Sequence, residues 1–222
     1  VGSEMGIRDR LPLYKVSVLC YNEMYVQKQQ QGWAVRKACS GSYHKTEEAD
    51  TMRILGIDPG YAIVGFGIVS YHGADFTPLE YGAITTEAGT RFAARLTAIY
   101  DDLDYLLKRF QPDCIAIERL YFTSNQKTVI DVAQARGVIV LCAEQHQIPM
   151  YEYTPLQVKQ AVVGYGKAEK RQVMDMTRRI LKLAQIPKPD DAADALALAI
   201  CHGHCATGVQ LQKRTIQAGD TI

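Results

Sequence analysis

The 222-residue sequence holds no run of about 20 consecutive apolar residues, so nothing in it reads as a bilayer-spanning helix. Its N-terminus lacks the basic-then-apolar plan of a signal peptide. Charge of one sign is missing too: 25 Lys and Arg against 24 Asp and Glu leave +1, so any surface for nucleic acid must be local. Six cysteines, at 20, 39, 114, 142, 201 and 205, form no C-x-x-C pair, and a chain of this length needs no disulfide framework. They read as reduced thiols, with Cys114 and Cys142 buried in apolar runs. What is present, 47% hydrophobic and 22% charged residues, suits one globular domain with an appended segment. The expectation is a soluble, cytoplasmic protein without a membrane partner.

Composition changes near Met52. Residues 1–51 contain the only tryptophan, Trp33, and polar runs without sustained periodicity, so they read as an N-terminal extension of unknown role, either a real arm or a non-native, disordered addition. Residues 52–205 read as a complete domain and 206–222 as a polar tail. Within the domain, 53–58, 62–71 and 76–86 are three strands joined by short turns, an antiparallel meander in which Gly65 and Gly67 permit close approach. A helix follows over 91–110, stopped by Gln111-Pro112, then a buried strand over 113–119. A long helix over 124–147, capped by Thr123 or Ser124, has Val129, Val132, Ala133, Ala135, Val138, Leu141 and Cys142 as its inner stripe. Next come a brief strand over 149–153, a helix from the Thr154-Pro155 cap to Val163, another over 167–183, and a last one over 192–200. The expected fold is α/β, a five-stranded mixed sheet with an antiparallel meander plus parallel strands and helices on both faces.

Four acids stand at the ends of these elements. Asp58 ends the first strand, Glu118 closes the fourth, and Asp191 and Asp194, three apart and so on one helix face, open the last helix. Ligands gather outside the carboxyl ends of such strands. Each acid taken alone has an ordinary explanation, a turn or a helix cap, although an acid within the apolar strand at Glu118 is harder to excuse. Together they form a cluster that the local motifs leave without a lysine or arginine, which repels itself unless a cation occupies it. Hard oxygen donors select magnesium or manganese, and a pair of such ions about 4 Å apart suits in-line phosphodiester hydrolysis.

These residues lie within a recognisable set. G-I-D-P-G at 56–60, A-I-E at 116–118, Q-A-R-G at 134–137, Q-V-K-Q-A-V-V-G at 157–164, A-E-K at 168–170 and D-A-A-D-A-L-A at 191–197 together resemble the RuvC family of Holliday-junction resolvases, RNase H-like endonucleases. The resemblance runs in order from about Met52 to about His204. It implies a homodimer that binds a four-way DNA junction and nicks two opposing strands with magnesium, with a branch-migration motor complex as a further candidate partner. The family's catalytic acids map to Asp58, Glu118, Asp191 and Asp194, its two DNA-facing lysines to Lys159 and Lys170, and its junction-contacting aromatic to Tyr121 or Phe122. Nothing carries over to residues 1–51.

Independently of that resemblance, Lys159, Lys167, Lys170, Arg171, Arg178 and Arg179 concentrate basic charge after the fifth strand, where phosphate contact competes with an ordinary solvated helix face. Contact is expected of Lys159 and Lys170 first, then of Lys167 and Arg171, with Arg178 and Arg179 last. Tyr121 and Phe122 follow Glu118 so closely that one is expected to stack on an unpaired base and the other to point inward. The cluster Cys201-His202-Gly203-His204-Cys205 reads as a helix end in preference to a zinc site, since no second ligand pair stands near it. Two other readings of the chain are an RNase H-like nuclease for another nucleic acid and a non-catalytic junction-binding protein. An actin-like ATPase, which G-I-D-P-G also opens, needs a second lobe for which 171 residues leave no room.

Overall fold

The computed structural model describes residues 51–120 and 126–219. Three strands open the domain: β1 (Thr51–Asp58), β2 (Ile63–His72) and β3 (Asp75–Thr85), each antiparallel to the next. Helix α1 (Phe92–Phe110) follows and ends where Gln111 takes a left-handed backbone, φ 46°. Then come β4 (Cys114–Glu118), α2 (Gln126–Gln145), β5 (Met150–Tyr153), α3 (Pro155–Val163), α4 (Lys170–Ile180) and α5 (Asp190–Gly219). The sheet order is β3-β2-β1-β4-β5, with β4 parallel to both of its neighbours. This is the expected mixed sheet. Its single irregularity, between Ile68 and Val69, falls on the β2–β3 pair beside Pro78, which an edge strand tolerates because its outer side needs no ladder donor.

Alternation along the strands divides the core into two layers. Leu55, Ile57, Ile115 and Ile117 face α1 and α2, joining Ile99, Leu103, Leu107, Ile139 and Cys142. Ile54, Cys114 and Ala116 face the other way, toward α3, α4 and α5, with Val158, Val173, Leu196 and Ile200. Helices therefore cover both faces. Asp58 and Glu118 continue the second alternation, two residues beyond Gly56 and Ala116, and so emerge on the α5 side of adjacent parallel strands.

Helix α5 lies close to the sheet because small residues let it. Gly56 and Gly67 are directly paired in β1 and β2, and the space a Cβ would need on either is filled by Ala195 or Leu196 of α5. The structure departs from the sequence reading in three helices. In α4 the backbone N–H of Glu169 donates to Gln172 Oε1 at 2.8 Å, fixing the start at Lys170, three residues later than the periodicity implies. At its other end Lys182 turns left-handed at φ 54°, so the helix stops at Ile180. In α5 the backbone is helical from Asp190 to Gly219, through the segment the sequence reads as a tail.

The third departure is the phase of α2. Its buried positions are Ala135, Ile139, Cys142 and Ala143, whereas Ala133 and Leu141, expected inside, are exposed. Apolar residues occupy two sides of this helix, so spacing alone could not say which side meets the core. The proposed cap at Thr123 or Ser124 lies outside the described residues. Among the described residues, no helix is long and apolar enough to cross a membrane.

Candidate active site

The site is built at the carboxyl ends of β1 and β4 and the first turn of α5. Asp58, the last residue of β1, is paired across the ladder with Gly65 of β2. Where Gly65 would carry a Cβ, the carbonyl of Asp191 sits, so the start of α5 is seated directly beside Asp58. One turn on, Asp194 enters a cavity of about 210 Å³ that is also lined by Glu118, Lys159 and Lys170, with Val158, Val173 and Leu198 among its apolar walls.

The electrostatics follow from that placement. Burial pushes the Asp58 carboxyl up to about 8, and the neighbouring Glu118, Asp194 and Asp191 push in the same direction. With its proton on, Asp58 hydrogen-bonds Glu118. Asp194 is likewise raised by burial, an effect that Lys170 opposes. Lys170 Nζ stands 2.7 Å from Asp194 Oδ2, and this hydrogen bond raises the lysine above its ordinary range. A lysine from outside the local motifs therefore neutralises one of the acids. It comes from α4, which no local motif around the acids could reveal.

As placed, no three acids, histidines or cysteines among the described residues close on one point to hold a metal ion. Asp58 stands within hydrogen-bonding reach of Glu118, and Asp194 is turned to Lys170. The donor set nevertheless fits a divalent cation. It consists of hard carboxylate oxygens, and the mutual repulsion that adds to burial in raising Asp58 is what a +2 charge relieves.

Of the other sequence candidates, Lys167 and Arg171 are exposed and outside the cavity lining. Arg178 and Arg179 are both bound to Asp175, at 3.0 and 2.8 Å. Tyr121 and Phe122 lie outside the described residues. Among the histidines, His146 pairs with Asp104 at 2.8 Å, and buried His202 meets the Tyr153 hydroxyl at 2.7 Å. His204 Nδ1 reaches the Ala161 carbonyl at 3.0 Å. Cys201 is buried and Cys205 exposed, free thiols with no third ligand gathered to them among the described residues.

One feature went unread in the sequence. The turn after Asp58 is clamped from α1 and from the chain just beyond β3: Arg95 Nε donates to Thr86 Oγ1 at 2.7 Å, and the Thr86 hydroxyl donates to the Tyr61 carbonyl at 2.9 Å. The Arg95 guanidinium lies 3.7 Å from the Tyr61 ring centroid, and Tyr61 stacks on Phe92 at 5.1 Å. Four residues from three segments make this clamp, and no spacing in the chain announces it.

A family model described as crossover junction endodeoxyribonuclease RuvC matches residues 54–202, the stretch that carries all four acids. The chain belongs to the RuvC family. A crossover junction endodeoxyribonuclease RuvC from Ruminiclostridium cellulolyticum is 56% identical over 153 residues, covering 69% of this chain and 92% of the relative. Another, from Caldanaerobacter subterraneus subsp. tengcongensis, is 54% identical, over 69% and 93%. Among solved structures, Thermus thermophilus RuvC in complex with Holliday junction substrate superposes with a TM-score of 0.68 at 35% identity, covering 70% of this chain and 94% of that one. The yeast mitochondrial Holliday junction resolvase Ydc2, at 15% identity and a TM-score of 0.58, shares the fold; it covers 76% of this chain and 85% of that one. The expected five-stranded RNase H-like architecture and the RuvC resemblance are both borne out.

Proposed function

We propose that this chain resolves four-way DNA junctions in the cytoplasm, during recombination and repair, as a magnesium-dependent homodimer that nicks two opposing strands. The observation that carries the reading is the gathering of Glu118, Asp191 and Asp194 round buried Asp58 in a chain of this family. A relative solved with Holliday junction substrate supports the choice of DNA.

Asp58, Glu118, Asp191 and Asp194 would hold two divalent ions, magnesium or in its place manganese. When bound, such ions supply an activated water as nucleophile and stabilise the charge on the leaving 3′-oxygen. The chain's own part is to place and discharge the acids. Asp58 would give up the proton it holds near neutral pH to become a ligand, in a site whose adjoining cavity has Val158, Val173 and Leu198 among its walls. Lys159 and Lys170 line the same cavity and would meet phosphate oxygens flanking the cut, with Lys167 and Arg171 extending that contact. One of Tyr121 and Phe122 would stack on a base opened at the crossover.

Two equivalent strands call for two equivalent sites, and a two-fold dimer provides them. The outward face of α2, with Ile130, Val140 and Leu141 exposed and Gly137 allowing close approach, is the proposed seam. A branch-migration motor is a further proposed partner.

The test compares a labelled four-way junction with a matched linear duplex, in magnesium and in chelator, for the wild type and Asp58→Asn. Paired nicks in the junction alone, absent from the variant although it still binds, are expected. Equal cutting of the duplex would point to a nuclease of other substrate, and binding without nicking to a scaffold.

A further inference from the structure

Lys170 is the first residue of α4, and Asp194 lies in the second turn of α5. Their main chains are fixed: α4 by the Glu169–Gln172 hydrogen bond at its start, α5 by its seat on Gly56, Gly65 and Gly67. The lysine side chain is not held in the same way. It is 57% exposed, whereas Asp194 is 28% exposed, and a four-carbon stem carrying a compact ammonium can change partners without moving the helix. Lys159 lines the same cavity but forms no ion pair among the described residues. Two lysines thus share one cavity, and one of them is already spent on an acid.

We propose that Lys170 is a built-in competitor for the divalent cation: its ammonium holds Asp194 in the DNA-free protein, and a phosphate of bound DNA draws it away, releasing the acid as a ligand. The ammonium 2.7 Å from Asp194 Oδ2 takes up one of that oxygen's acceptor positions, and its charge opposes a second cation at the same carboxylate. An incoming cation therefore competes with the lysine for Asp194, and a DNA phosphate offers the ammonium a second anion. Each ligand removes a cost otherwise borne by the other, so metal and DNA bind with positive coupling, equal in both directions. The consequence is a site that loads its metal preferentially on DNA. The DNA half of this proposal rests on the function proposed above, whereas the competition for Asp194 concerns the free protein alone.

The test is a titration of the DNA-free protein with Mn²⁺, followed by electron paramagnetic resonance, for the wild type, Lys170→Gln and Lys159→Gln. Loss of an exposed ion-pair partner predicts an Mn²⁺ affinity about five-fold higher in Lys170→Gln at low salt. Lys159→Gln removes the same charge from the same cavity without releasing Asp194, so a gain of about two-fold or less is expected. In parallel, junction affinity is measured in chelator and in Ca²⁺, with nicking in magnesium as the separate check on function. The wild type should bind the junction more tightly with Ca²⁺, and Lys170→Gln should lose most of that gain.

Unchanged or weaker Mn²⁺ binding by Lys170→Gln, or an equal gain from Lys159→Gln, would overturn the competition in a protein that still nicks junctions. Failure of the wild type to nick junctions, with the Mn²⁺ difference intact, would overturn the substrate reading and the DNA half while sustaining the competition. No Mn²⁺ binding by any variant would overturn both.

Discussion

The carbonyl of Asp191 occupies the space that a Cβ on Gly65 would need, and Gly65 is the ladder partner of Asp58. One missing side chain thus sets how near the first turn of α5 comes to the end of β1. Gly65→Ala must push the helix start or the strand aside, at a cost of about 1–3 kcal/mol for overpacking. We expect a lower melting temperature and loss of junction nicking. Normal nicking by the variant would show that the site does not depend on this approach.

Asp58 governs the pH dependence of the metal-free protein. Its carboxyl is raised from 3.8 to about 8, so the native state binds more protons than the unfolded chain across that window. The stability from this group is complete below the lower value and is lost as pH rises through the upper one. Asp58→Asn removes the dependence. In chelator at pH 8 the variant should melt about 5 °C above the wild type, the response of a domain of this size to about 1–2 kcal/mol, with the difference vanishing toward pH 4. Calorimetric melts across pH decide it.

The same proton bears on metal binding. A cation that takes Asp58 as a ligand must release its proton below about pH 8, so Mn²⁺ affinity should rise with pH up to that point and then level off. Titrations in buffers of different ionisation enthalpy would detect the released proton, and a flat profile would remove Asp58 from the ligand set.

Arg95 acts on the turn after Asp58 through Thr86 and Tyr61. The charged groups that perturb Asp58 are all acids, so the effect of Arg95 is positional. Arg95→Ala should slow single-turnover nicking about ten-fold, the result of a small misplacement of a reacting group, while junction binding persists. Arg95→Lys, which cannot both stack on Tyr61 and bond Thr86 in the same way, should fail to restore the rate. Weakened binding with an unchanged single-turnover rate would make Arg95 a DNA contact.

The outward face of α2 gives a prediction about assembly. Ile130 is 58% exposed and Leu141 53%, so a charge at either costs the protomer little. Ile130→Asp with Leu141→Asp should yield a folded monomer by sedimentation, with paired nicks reduced to single, uncoupled ones. A dimer that survives both changes has its seam elsewhere.

Much of this was legible in the sequence for a physical reason. Strands such as Arg53 to Asp58 and Cys114 to Glu118 are short apolar runs with an acid at the end, and the Thr154-Pro155 cap appears in the structure with both of its hydrogen bonds. Spacing along the chain determined which acids end which elements, because a period of two or of 3.6 is a local property. The phase of α2 was not legible, since a helix apolar on two sides does not declare which side meets the sheet. Nor was the partnership of Lys170 with Asp194, or the clamp of Arg95 on Tyr61, since each joins side chains from elements far apart in sequence. The sequence by itself determined the order of the elements and the identity of the four acids. Only the tertiary structure decided which acid is buried, which is held by a lysine and how close α5 lies to β1, because burial, ion pairing and close approach depend on distances in space.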